Sequence, residues 1–116
     1  MRLSFVETAV FTQRIRQLGL EDGLRVLQTE LLANPEAGDL EPGTGGLRKV
    51  RVVDRQRGKG KRGGARVHYL WLPHVRRIYL VYVYGKQEAA GLSALQKKAL
   101  SQVVQAIKAA TTEAIP

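Results

Sequence analysis

The dipeptide Asn34-Pro35 separates two kinds of pattern in this chain. Before it, apolar residues recur at helical spacing: Phe11, Ile15 and Leu18, then Leu20, Leu24, Leu27 and Leu31. Thr8 stands where an N-cap is wanted and Gly19 closes the first segment. Glu21 and Asp22 open the second, where the helix dipole favours acids. Gly23 weakens that second helix, and Asn34 ends it, because a residue before proline avoids the α region. After Pro35 the pattern changes. Residues 36–46, with Pro42, Gly38, Gly43, Gly45 and Gly46, read as a loop. Three runs rich in β-branched and aromatic residues follow, Leu47–Val53, Ala65–Leu72 and Ile78–Tyr84, with Pro73-His74 as the turn between the last two. Ser93-Ala94-Leu95-Gln96 is a capping box and opens a helix whose apolar stripe is Leu100, Val103, Val104 and Ile107. Residues 2–6 alternate weakly and add a short first strand.

The resulting order is β-α-α-β-β-β-α. Consecutive strands joined by short turns predict an α+β fold, a small antiparallel β-sheet with two N-terminal helices and a C-terminal helix packed on one face. At 116 residues the chain suits one domain spanning residues 1–116, with a flexible basic loop at 54–64 and a frayed tail at 111–116. A hydrophobic content of 44% is enough for a core without covalent staples.

The charge is concentrated. Nine of the 19 basic residues lie between Arg48 and Arg66, against one acid, Asp54, so this window holds a net +8 of the chain's +9. Like charges gathered in this way repel unless a polyanion meets them, so the window implies a nucleic-acid or anionic-surface partner. Glu7 interrupts the N-terminal apolar residues, and the run Ile78–Tyr84 is far shorter than a membrane span. A soluble, cytoplasmic protein with no membrane partner is therefore expected.

Several chemistries are excluded by residue type. There is no cysteine, hence no disulfide, thiolate nucleophile or cysteine-ligated metal. The two histidines, His68 and His74, have no zinc-binding spacing, so neither a metal nor another cofactor is expected. Gly58-Lys59-Gly60-Lys61-Arg62-Gly63 formally matches a dinucleotide-binding glycine motif, but a strand follows it where that motif needs a helix. The acids are scattered outside the basic region, against the arrangement of a paired-carboxylate hydrolase.

What remains is phosphate chemistry driven by cations. Strand alternation puts Lys49 and Arg51 on one face of their strand, and Arg66 and His68 on one face of the next. If those strands pair across the basic loop, the four converge on a surface able to grip phosphates, with tyrosines nearby for bases to stack on. Tyr69 and Trp71 alternate with Val67 and are assigned to the core; His74 is a turn residue. Cleavage of RNA by its own 2′-OH needs an in-line phosphodiester, neutralised transition-state charge and proton transfer. Arginine and lysine supply the first two; His68, Tyr84 or a lysine are the candidates for the third.

Four blocks carry a resemblance to a known family: Pro35-Glu36-Ala37-Gly38-Asp39; Pro42-Gly43-Thr44-Gly45-Gly46-Leu47-Arg48-Lys49-Val50-Arg51; Gly60-Lys61-Arg62-Gly63-Gly64-Ala65-Arg66-Val67; and Tyr82-Val83-Tyr84-Gly85-Lys86 before the last helix. From about Val10 to Ile107 the chain resembles the RelE/HigB toxins of type II toxin–antitoxin systems, in particular the HigB branch. The resemblance implies a RelE-like fold and a ribosome-dependent mRNA endonuclease that acts in the ribosomal A site without metal. It implies a cognate antitoxin of the HigA/RelB type as partner, beside mRNA and the ribosome. Carried over by motif, Lys49 and Arg51 orient the mRNA backbone, Arg66 stabilises the scissile phosphate, and Lys86 joins the same site. Arg48, Lys59, Lys61 and Arg62 complete the RNA-binding set. Gln87 stands where the family often has arginine, and Gly91-Leu92-Ser93 has no catalytic tyrosine, which leaves Tyr84 and His68 as substitutes for proton transfer. Two other readings stay open: a ParE-like toxin that poisons gyrase, and an RNA- or ribosome-binding module without catalysis.

Overall fold

The computed structural model describes residues 2–54, 64–85, 88 and 91–113. Among the described residues it is an α+β fold of three α-helices, a short 3-10 turn at Pro73–Val75 and one five-stranded mixed sheet. Strand β1 (Ser4–Glu7) leads into helices α1 (Ala9–Leu18) and α2 (Glu21–Ala33). Strands β2 (Asp39–Leu40), β3 (Arg48–Val52), β4 (Ala65–Leu72) and β5 (Arg77–Tyr84) follow, and helix α3 (Ala94–Glu113) comes last. The strand order is β1-β5-β4-β3-β2.

The caps are made as the residue types dictate. The Thr8 hydroxyl accepts from Phe11 N–H, and Gly19 adopts the left-handed conformation at φ 65°. Ser93 and Gln96 exchange both bonds of a capping box, at 2.8 and 3.1 Å. Gly23 has a packing reason to interrupt α2. A Cβ there would fall 2.1 Å from the carbonyl oxygen of Val53, so glycine lets α2 lie directly on the end of β3.

Five expectations need correction. The sheet is not wholly antiparallel: β1 runs parallel to β5, with Ser4 opposite Arg77 and Glu7 opposite Leu80. Parallel pairing needs a long crossover, and everything from α1 to β4 supplies it. The helices do not share one face. Phe11, Ile15, Leu24, Leu27 and Leu31 of α1 and α2 pack with Val67, Tyr69, Ile78, Leu80 and Val83 on one side. Val104 of α3, flanked by Leu100 and Ile107, packs with Leu47, Leu70, Leu72 and Val81 on the other. Strands β4 and β5 are apolar on both sides, so each side requires its own cover. Within the stretch read as loop, Asp39–Leu40 pairs with β3. Finally, α3 continues to Glu113, past the expected start of a frayed tail, and Thr111 is buried with its hydroxyl on the Ile107 carbonyl. Thr111, not the 39%-exposed Val103, extends the helix stripe.

One irregularity decides which side chains reach the outer end of the sheet. His68 pairs with Tyr82 and Tyr69 with Leu80, which leaves Val81 as an extra residue in β5. Ile78 and Leu80 before it, and Val83 after it, belong to the α1/α2 core; Tyr79, Val81 and Tyr82 pack on the α3 side. Without the bulge, alternation would send Tyr82 and Tyr84 into the α1/α2 core.

Candidate nucleic-acid interface

The site lies on the α3 side of the sheet, where β3 ends and β4 begins. Register sets Lys49 opposite His68, Arg51 opposite Arg66, and Arg66 opposite Tyr84. Cross-strand pairs share a face, so the four residues expected to converge do so. Tyr84 joins them: its ring stacks on His68 at 5.8 Å and sits 6.5 Å from Tyr82.

Two arginines directly opposite one another repel. The guanidinium of Arg66 is steadied by the Gly64 carbonyl at 2.8 Å. Arg51 is exposed and makes no ion pair among the described residues. Lys49 reaches Glu41 at 3.6 Å, and this same carboxylate lies 3.4 Å from His68 Nε2. Glu41 is thus the acid in the middle of the cationic face. The Pro-Gly turn holds it there. Thr44 is fully buried; its hydroxyl donates to the Glu41 carbonyl at 2.7 Å and accepts from Leu47 N–H at 3.2 Å. The left-handed glycines on either side let this turn close against α3, and Lys108 Nζ donates to the Gly45 carbonyl at 2.9 Å.

The protonation states follow from burial and charge. Burial pushes the pKa of His68 down, as do Lys49 and Lys97, and together they outweigh the opposing pull of Glu41. Burial raises Glu41, but the His68 hydrogen bond and the charges of Lys49, His68 and Lys97 bring it below the usual carboxylate range. A neutral His68 donating from Nε2 to an ionised Glu41 leaves Nδ1 as an acceptor, and that atom has no partner. Burial raises the Tyr84 phenol against the opposing effect of Arg66, so it stays protonated and available as a donor.

The remaining candidates divide. Arg48 pairs opposite Tyr69, so alternation carries it off the Lys49–Arg51 face. Its guanidinium donates to the carbonyls of Glu36 and Gly38 and pairs with the Glu36 carboxylate, which makes it a clamp on the loop after α2. Lys86, Lys59, Lys61 and Arg62 lie outside the described residues. His68 is 0% exposed and Tyr84 5%, so neither stands open to solvent. Sequence reasoning missed Glu41 and Lys97. Glu41 is an acid next to Pro42, ahead of a basic strand, a weak signal; Lys97 had none, because its role depends on which face α3 covers.

Among the described residues no group of three or more His, Asp or Glu side chains is placed to hold a metal. No described helix is long and apolar enough to cross a membrane. The chain matches no family model.

The arrangement can bind a phosphodiester. Arg51 and Arg66 offer planar guanidinium donors from directly opposed positions, Lys49 an ammonium on the same face, and Tyr84 a phenol opposite Arg66 with its ring stacked on His68.

Proposed function

We propose that this chain is a RelE/HigB-like toxin that cleaves mRNA on the ribosome by attack of the RNA 2′-OH, and that a cognate antitoxin restrains it in the cytoplasm. The observation that carries the reading is the convergence of Lys49, Arg51 and Arg66 with Tyr84 on one face of a small sheet. In this reading Lys49 and Arg51 hold the phosphates flanking the scissile bond and fix the in-line geometry. Arg66 neutralises the charge that grows on the phosphoryl oxygens as the 2′-oxygen attacks. The 2′-OH gives up its proton to solvent water as its oxygen bonds to phosphorus, the bond to the 5′-oxygen breaks, a cyclic phosphate forms, and the leaving oxygen takes up a proton from a donor that solvent then reprotonates. Tyr84 stands next to Arg66 and is the described residue best placed to donate it. His68 is buried beneath Tyr84 and acts on it through ring stacking.

A reconstituted translation system tests this. Ribosome-bound mRNA should be cut and free mRNA left intact, with Arg66→Ala inactive. Intact mRNA in both cases would reject the reading.

A second reading has one observation in its favour. Both described proton-transfer candidates are nearly or wholly buried, as suits a face that binds RNA without cutting it. Tight RNA binding with no cleavage in the same assay would select it.

A further inference from the structure

The cationic face does not stop at the sheet. A groove of about 530 Å³ runs between the Pro-Gly turn and the outer face of α3, lined by Gly43, Lys97, Lys98, Ser101, Gln102 and Gln105. A Cβ at Gly43 would lie 3.4 Å from Lys97 Cδ, so the turn and the lysine stem form adjoining walls. On a helix these positions are stacked neighbours, and Lys97 to Gln105 covers about 12 Å of axis. The lining offers two ammoniums, a hydroxyl and two carboxamides, and no carboxylate. Neither lysine makes an ion pair among the described residues. Lys97 is half-buried against the same Pro-Gly turn that holds Glu41, near enough for its charge to bear on Glu41 and His68, so the groove adjoins the strand face.

We propose that this groove is a second phosphate-binding track, which takes the single-stranded RNA backbone as it leaves the Lys49–Arg51–Arg66 face and runs along α3. Lys97 is the junction, Lys98 the next phosphate ligand, and Ser101, Gln102 and Gln105 hydrogen-bond sugar and phosphate oxygens. Donors without sequence-reading geometry suit backbone contact rather than base recognition. The proposal rests on the RNA reading above.

Fluorescence anisotropy with labelled oligo-uridine of about 4 and about 12 nucleotides separates the two sites. The variants are Lys97→Gln/Lys98→Gln, which keeps good helix formers on an exposed surface, and Arg66→Ala. The double variant should weaken binding of the long oligomer and flatten its log affinity against log salt slope by about 1.4, as expected for two lost single-strand phosphate contacts. The short oligomer should bind as to wild type, whereas Arg66→Ala should weaken both lengths. An unchanged slope for the long oligomer, or equal loss at both lengths, overturns the track. If Arg66→Ala affects neither length while the double variant weakens the long one, the track stands and the strand-face reading fails. No binding of either oligomer by wild type rejects both.

Discussion

His68 Nε2 lies 3.4 Å from Glu41 Oε1, while the other nitrogen of the same ring has no hydrogen-bond partner. A buried imidazole in this position is neutral, and the carboxylate facing it is ionised. Both groups therefore couple stability to pH in the same direction, with loss as pH falls.

The pKa of His68 is depressed in the folded state, so the unfolded chain binds the extra proton first. Stability is full above the unfolded value of 6.5 and is lost as pH falls below it. Glu41 is depressed too, so it adds a further loss below its unfolded value of 4.5. Urea unfolding should give a lower midpoint at pH 5.5 than at pH 7.5, and His68→Gln should flatten that difference. A midpoint that does not move between the two pH values would contradict the assignment of a neutral buried imidazole.

Tyr69 ties the loop after α2 to the core. Its hydroxyl donates to the Pro35 carbonyl at 2.8 Å and accepts from Gly38 N–H at 2.9 Å. Tyr69→Phe keeps the ring and strands both backbone groups, at a cost of about 1–3 kcal/mol. Chemical denaturation should read a loss in that range. No loss would mean that solvent reaches the loop and replaces the hydroxyl.

Gly23→Ala reverses an ordinary rule. Alanine in a helix is favoured over glycine by about 1 kcal/mol. Here the new Cβ would meet the Val53 carbonyl at 2.1 Å, a backbone atom that cannot turn aside. The variant should lower the thermal midpoint, where an exposed helical glycine would raise it. A raised midpoint would show that α2 can lift off β3 at little cost.

Local chemistry was readable in the chain, and long-range placement was not. The Thr8 cap, the Gly19 terminator and the Ser93–Gln96 box each depend on residues within four positions, and all three are made. The convergence of Lys49, Arg51, Arg66 and His68 needed alternation plus one strand pairing, and it too could be read. The parallel pairing of β1 with β5 joins residues more than 70 positions apart, and no local pattern encodes it. The bulge at Val81 was written only as two adjacent apolar residues, Leu80-Val81, inside a strand, which alternation alone cannot distinguish from a fully buried strand. Yet that bulge delivers Tyr84 to the cations. Glu41 stayed hidden because its partner His68 is 27 residues away and is reached only once β2 and β3 pair with β4.

The central claim is that the Lys49–Arg51–Arg66 face cuts mRNA during translation. Its most direct test is 5′-end mapping of cellular mRNA after brief induction of the wild type and of Arg66→Ala. New ends at in-frame positions within translated regions, absent from the variant, are the predicted result. Growth arrest by the wild type with no new mRNA ends would contradict it.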